Sequence, residues 1–470
     1  MAGRYWLETL GCPKNQVDSD KLEGLLVSEG YEPAPGPGAA DLVVVNTCAF
    51  IEAAREESIG TVLDMAQRKR EGARLVVTGC LAERYGPELA DALPEVDRVA
   101  GFGVALTAGP APAGGARGPV PVELRRRPRS VEGARGPGRQ RPAEAPVRAG
   151  LTGLAGLPSF DLLNLPRPAG RRPWAYVKVA EGCDRNCGFC AIPSFRGVQR
   201  SRDAASVLAE VEAVGAREVV LVAQDLVSWG RDASTRAERR NAAADGPNLA
   251  WLVREVRRRV DRVRLLYIYP SGLTDELVEV IGESGCPYYD LSLQHVSEPL
   301  LRRMRRPGSA ERFAEKVASV RRRYPDAVLR SSFIVGYPGE TEEDHDQLLA
   351  FLRAAELDWV GFFPYSREEG THAAGLPGQV PAPLVAERLR ECSELQDGIT
   401  AARRSALVGG RCTVLVDAPG QGRSHREAPE VDGVVQLPAD VPSGGWVQVE
   451  VVDSVGPDLV GLPLGPVRQP

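Results

Sequence analysis

Between residues 174 and 366 short apolar runs alternate with amphipathic segments, and this rhythm constrains the fold more than any other feature of the chain. Candidate strands are 176–180, 218–223, 263–269, 289–293, 328–335 and 360–365. Helical segments fall between them at 204–214, 249–259, 275–283, 312–323 and 342–355. Strands joined by helical crossovers run parallel. Six such units predict a partial TIM-type barrel, (βα)6, over residues 173–404.

Three cysteines occupy the loop expected after the first of these strands, in the run Cys183-Asp-Arg-Asn-Cys187-Gly-Phe-Cys190. Loops at strand carboxyl ends are where α/β proteins bind ligands. Zinc prefers four ligands in paired units, yet within forty residues of the triplet there is neither a second pair nor a histidine. An iron-sulfur cube has four irons and ordinarily four thiolates. Three cysteines would leave one iron open to a substrate or cosubstrate.

The first hundred residues show the same rhythm. Runs at 5–10, 42–46 and 74–78 read as buried parallel strands, with helical segments such as 19–28 and 50–70. A small α/β layer domain is predicted over 1–106. Cys12, Cys48 and Cys80 each follow one of its strands. Singly each reads as a small buried residue; at equivalent positions they suggest a second three-cysteine set at one sheet edge, facing helix N-termini that stabilise thiolates.

Residues 107–172 turn to Ala, Gly, Pro and Arg and are expected to form a linker, with an apolar portion at 151–165 that could dock and an arginine patch at 125–129. Residues 405–470 carry short β runs at 413–416, 433–436, 446–451 and 459–461, the pattern of a small β-barrel. From Gly409 to Pro470 there are four arginines and eight acidic residues, a net charge of −4. Such a module repels a phosphate backbone and favours a basic partner.

Composition adds limits. Only five of the 58 basic residues are lysine, so the arginine runs reflect a general bias more than nucleic-acid binding. Nine cysteines, an odd number, argue for metal ligation or free thiols over a disulfide framework; Cys286, Cys392 and Cys412 read as structural. No apolar stretch approaches the roughly eighteen residues of a membrane span, and no secretory signal pattern opens the chain. The expected setting is the cytoplasm, with no membrane partner.

The triplet with its flanks Glu181-Gly182 and Ala191-Ile-Pro-Ser-Phe-Arg-Gly197 resembles the radical S-adenosylmethionine methylthiotransferases. Leu10-Gly-Cys12-Pro-Lys-Asn-Gln-Val-Asp-Ser19, Val45-Asn-Thr-Cys48-Ala-Phe-Ile and Val77-Thr-Gly-Cys80-Leu-Ala-Glu-Arg match that family's other cysteine segments. The resemblance implies two 4Fe-4S clusters, one on Cys183, Cys187 and Cys190, the other on Cys12, Cys48 and Cys80. The first would chelate S-adenosylmethionine (SAM) and reduce it to a 5'-deoxyadenosyl radical; the second would carry the sulfur or methylthio group. It also implies a C-terminal TRAM-like barrel, an electron donor such as flavodoxin or ferredoxin, and a monomer. Family-like SAM contacts are Phe189 and the Val335-Gly336 backbone for adenine, and Gln294, Arg330 or Ser332 for the sulfonium and carboxylate. Ala223-Gln224-Asp225 replaces the family's Gly-Gly-Glu, the usual amino-group motif after the second strand, and Gln224 is a further candidate SAM contact.

Within the family one branch modifies transfer RNA adenosine and another an aspartate of small-subunit ribosomal protein twelve. Phe363-Pro-Tyr-Ser366-Arg-Glu-Glu-Gly-Thr371, Gly422-Arg-Ser-His-Arg-Glu-Ala-Pro-Glu430-Val-Asp432-Gly and the acidic C-terminal module resemble the protein branch, whose substrate is basic. The transfer RNA branch is the alternative. A two-cluster electron carrier is the non-enzymatic one, but it leaves the barrel and both missing fourth ligands without a purpose.

Overall fold

The computed structural model describes residues 3–107, 160–170, 172–232 and 247–468. The arginine patch at 125–129 and most of the predicted linker lie outside the described residues. The chain divides into two compact units: Met1–Gly11, Leu26–Ala49 and Ala54–Leu162 form the first, while Cys12–Leu25, Phe50–Ala53 and Leu163–Pro470 form the second.

The sheet of the first unit comprises β1 (Arg4–Thr9), β2 (Glu32–Pro33), β3 (Leu42–Thr47), β4 (Arg74–Gly79) and β5 (Arg98–Val99). All pair in parallel, in the order β2-β1-β3-β4-β5. The central strand β3, Leu-Val-Val-Val-Asn-Thr, is buried at every position, as a parallel strand covered on both faces must be. Helices α1 (Pro13–Ser28), α2 (Glu52–Arg68) and α3 (Cys80–Ala92) follow β1, β3 and β4. Helix α1 starts at Pro13, earlier than its apolar spacing indicates, because proline suits the first helical position and its missing N–H is not needed there.

In the second unit β6 (Trp174–Lys178) leads into a two-stranded antiparallel ribbon of β7 (Ala180–Glu181) and β8 (Arg200–Ser201). Strands β9 (Glu218–Val222), β10 (Arg262–Ile268), β11 (Tyr288–Gln294), β12 (Val328–Val335) and β13 (Trp359–Pro364) complete a six-stranded parallel sheet with β6, ordered β13-β12-β11-β10-β9-β6. Sequential order without reversal is that of a partial (βα) barrel. Its helices carry the expected stops and starts. Asp203 caps helix Ala204–Val214, which ends on left-handed Gly215, and Thr341 forms a capping box with Asp344 at helix Glu342–Ala355. The short helix Glu298–Arg303 was not legible as apolar periodicity; Ser297 caps it.

The register slips between Leu265 and Ile268 on β10 and between Leu291 and Gln294 on β11. Tyr267 and Gln294 at these irregularities have φ values of 65° and 73°, a conformation that non-glycine residues adopt at a cost.

After helix Ala382–Ser405 the chain forms β14 (Arg411–Ala418), β15 (Gln421–Arg423), β16 (Val435–Gln436), β17 (Trp446–Val455) and β18 (Asp458–Pro463). They close into a barrel ordered β14-β15-β16-β18-β17. The sequence showed four of these five strands. It hid β15 because that strand is three residues long and centred on Gly422, whose missing Cβ would stand 2.5 Å from Leu415 O.

Residues 423–432 of this module pack against the inner face of the six-stranded sheet. Arg423 donates to both carboxylate oxygens of Glu218 at 3.2 Å, and Arg264 Nε to the same carboxylate at 2.8 Å. Tyr176 and Tyr288 donate their hydroxyls to Pro429 O (2.7 Å) and Asp432 Oδ2 (2.5 Å), and Trp359 Nε1 to Arg426 O (2.7 Å). Burial alone would raise the carboxyl of Glu218, but Arg423, Arg264 and Arg262 pull it down to about 2.

Candidate active site

Lys178, Glu181, Asp18 and Arg196 form a buried cluster at the carboxyl end of β6. Lys178 is fully buried and bonds Asp18 and, at 2.7 Å, Glu181. Arg196 reaches Asp18 at 3.0 Å, Glu181 at 2.9 Å and Asn15 Oδ1 at 2.7 Å. Two cations facing two carboxylates satisfy the condition for burying charge. Burial opposes the carboxylate of Glu181, yet Arg196 and Lys178 hold it down to about 2. Asp18 and Asn15 lie in the first turns of α1, so residues Cys12–Leu25 are bound to this end of the sheet.

Glu181 is followed by Gly182, and the triplet begins. Gly182 has φ 76°, and a Cβ on it would stand 2.2 Å from Val198 O, so only glycine fits. Cys183 Sγ accepts from the Arg185 main-chain N–H at 3.4 Å, and Cys187 Sγ from Arg306 Nη1 at 3.4 Å. Gly188 N–H donates to Met304 O at 2.8 Å, and Gly188 O accepts from Ala373 at 2.8 Å. The loop is thereby fixed on both sides. Burial pushes the thiols of Cys183 and Cys190 up to about 11 and 12. Among the described residues no three His, Cys, Asp or Glu side chains are grouped as ligands of a metal ion.

Cys12 is different. Burial raises its thiol, but Lys14, Arg196 and the amides of Asn15 and Lys14 outweigh that and leave it lowered, as expected at a helix N-terminus among cations. In the first unit Cys48 and Cys80 are both buried. They follow Thr47 and Gly79, which are register partners on β3 and β4. Gly79 has φ 91°, and a Cβ there would meet Asn46 Oδ1 at 2.3 Å, so the turn into Cys80 needs glycine.

The SAM candidates are placed as follows. Gln224 Nε2 donates to Glu181 Oε1 at 2.5 Å, while Gln224 Oε1 is buried and unpaired. Next to it Asp225 Oδ2 accepts from Arg185 Nε (2.7 Å) and Ser228 (2.6 Å), leaving Oδ1 buried and unpaired. Two orphaned acceptors after β9 suit a donor-rich ligand group. Phe189 is half-buried against the helix-side core, and Val335 is wholly within it. Gly336 N–H is taken by Glu340 Oε2 at 2.6 Å, and a Cβ on Gly336 would meet Val385 Cγ2 at 2.5 Å. Arg330 pairs with Asp290 at 3.0 Å and Asp432 at 3.4 Å. Gln294 stands opposite Phe333 in the β11–β12 register, and Ser332 opposite Gly361.

Sequence reasoning passed over Asp18, Lys178, Arg185 and Arg306. A lysine inside an otherwise apolar strand was the one available signal. Cys286 and Cys392 are fully buried, with thiols raised by burial to about 11 and 12, as structural cysteines are.

Residues 4–101 match the family described as Uncharacterized protein family UPF0004, residues 177–352 the Radical SAM superfamily, and residues 408–463 the TRAM domain. A six-stranded parallel sheet with a cysteine triplet after its first strand, joined to a TRAM barrel, defines a radical SAM enzyme. The ribosomal protein uS12 methylthiotransferase RimO of Moorella thermoacetica is 42% identical over 452 residues, covering 94% of this chain and 95% of that protein. Those of Sorangium cellulosum and Saccharopolyspora erythraea are 40% and 41% identical over 477 and 482 residues, covering 96% and 98% of this chain and 89% and 95% of theirs. The chain belongs to the RimO family of methylthiotransferases.

Proposed function

We propose that this enzyme adds a methylthio group to the β-carbon of an aspartate in small-subunit ribosomal protein uS12. The observation that carries the reading is the triplet loop, fixed by hydrogen bonds to its sulfurs and flanked by the orphaned acceptors Gln224 Oε1 and Asp225 Oδ1. Cys183, Cys187 and Cys190 hold one 4Fe-4S cluster, and Cys12, Cys48 and Cys80 a second. When bound, the clusters and SAM supply one-electron chemistry for a C–H bond too weakly acidic for a side-chain base. Gln224, oriented by Glu181, accepts from the SAM ammonium group, and Asp225 supports it. Phe189 and the Val335-Gly336 backbone would serve the adenine, and Gln294 and Ser332 the remaining SAM contacts. Arg330, held by two carboxylates, orders the inner face beside them.

The C-terminal module supports a basic protein substrate. Asp417, Glu427, Asp432 and Glu430 are used internally by Arg423, Arg404, Arg330 and Arg172, whereas Asp440, Glu450 and Asp453 are exposed. Exposed acids repel RNA and attract a basic ribosomal protein. Residues 1–106, 173–404 and 405–470 are the three working domains, with 107–172 between them. The enzyme acts as a cytoplasmic monomer and takes electrons from a flavodoxin or ferredoxin; among the described residues no helix is long and apolar enough to cross a membrane. Reconstituted enzyme offered uS12 and transfer RNA, with both products weighed by mass spectrometry, tests the substrate. Methylthiolated uS12 is expected; modified RNA alone would overturn the reading.

A further inference from the structure

Two tyrosines at the end of β10 each brace one cysteine-bearing turn. The ring of Tyr269 carries two guanidinium groups, with Arg185 at 4.0 Å and Arg306 at 4.2 Å from its centroid. Both residues donate to triplet sulfurs, Arg185 through its main chain to Cys183 and Arg306 through Nη1 to Cys187. Two positions earlier, Tyr267 carries the ammonium of Lys14 at 3.7 Å over its ring. Lys14 is two residues beyond Cys12 in the turn that opens α1. A cation over an aromatic face is a directional contact, strengthened when water is excluded.

The backbone supports this arrangement. Tyr267 has φ 65° where the β10–β11 register slips. Its N–H is held by Asp290 Oδ2 at 2.9 Å, and Asp290 is in turn fixed by Arg330 at 3.0 Å. A left-handed non-glycine residue is unfavourable unless its surroundings impose it, and such outliers gather at functional sites. The packing beneath agrees: Val17 of α1 is fully buried in one cluster with Trp174, Tyr176, Val222 and Leu266, against which Tyr267 also packs.

We propose that Tyr267 and Tyr269 are positioning residues that fix the Cys12 turn relative to the triplet loop, so that the group delivered from Cys12's side meets the substrate position that the triplet serves. The inference rests on the reading of two clusters above. Neither tyrosine reacts; each acts through the cations it holds. Loss of the Tyr267 ring frees the Cys12 turn and leaves the triplet and its SAM contacts in place.

The test uses Tyr267→Leu, which removes the ring, Tyr267→Phe, which keeps it, and Lys14→Met, which removes the cation without opening space beneath it. The full-length enzyme is reconstituted with iron and sulfide and compared for iron content and for 5'-deoxyadenosine formed per methylthiolated uS12. The iron-free proteins are compared by hydrogen exchange over residues 12–19. In Tyr267→Leu and Lys14→Met the ratio is expected to rise between about tenfold and a hundredfold, the range for a displacement near 1 Å. Exchange over 12–19 quickens in both, and Tyr267→Phe restores both readouts. A parent ratio and parent exchange in Tyr267→Leu and Lys14→Met would overturn the proposal. Should Tyr267→Leu lose iron, Lys14→Met decides. If the parent enzyme itself leaves uS12 unmodified, the functional reading fails, and exchange over 12–19 still decides whether Tyr267 holds the turn.

Discussion

Gln224 Nε2 donates to Glu181 Oε1 at 2.5 Å, and this bond leaves Gln224 Oε1 buried without a partner. Glu181 is at the same time the acceptor for Lys178 and Arg196 and the residue two before Cys183. The Gln224 amide can therefore donate a hydrogen bond to Glu181 with one end and accept from a ligand ammonium with the other. A glutamate there would set two carboxylates 2.5 Å apart.

Gln224→Leu is accordingly expected to weaken SAM binding by roughly ten- to a hundredfold, the value of one hydrogen bond to a charged group. Calorimetric titration of the reconstituted enzyme measures it. Gln224→Glu should be worse than its size suggests, since it places like charges together. Parent affinity in Gln224→Leu would remove this residue from the SAM site.

Gly182→Ala is expected to prevent assembly of the triplet cluster. Its Cβ would stand 2.2 Å from Val198 O, and the φ of 76° adds backbone strain of about 1 kcal/mol or more. Iron analysis after reconstitution checks this; iron at the parent level would show that the loop relaxes around a methyl group.

Replacing Cys12, Cys48 and Cys80 together with alanine should halve the iron bound, roughly four irons remaining of eight if two cubes are present in the parent. The variant should still cleave SAM under reduction yet leave uS12 unmodified. Unchanged iron would reject the second cluster.

The Glu218–Arg423 pair sets an acid limit on stability. The folded carboxyl of Glu218 is depressed to about 2 from an ordinary value of 4.5, so its contribution is complete above the unfolded value and disappears as pH falls through the folded one. Urea midpoints should therefore drop between about pH 4.5 and 2. Arg423→Leu leaves part of the buried charge unmatched and is expected to cost about 3 kcal/mol at neutral pH, with a smaller decline in acid. Parallel acid profiles in parent and variant would contradict the assignment.

The sequence by itself determined what is local. Alternating apolar runs specified the parallel sheets, and the triplet's position after β6 specified where a ligand binds. These signals are legible because strand alternation and helix capping depend on neighbours a few residues away. Tertiary structure decided the pairings over long separations: Asp18 with Lys178 across 160 residues, Arg423 with Glu218 across 205, and Lys14 over Tyr267. It also decided that Arg330 faces two carboxylates and that Tyr267 takes a left-handed backbone at a register slip. No periodicity encodes such choices, because a buried charge or a strained residue is stabilised only by groups that the finished fold brings to it.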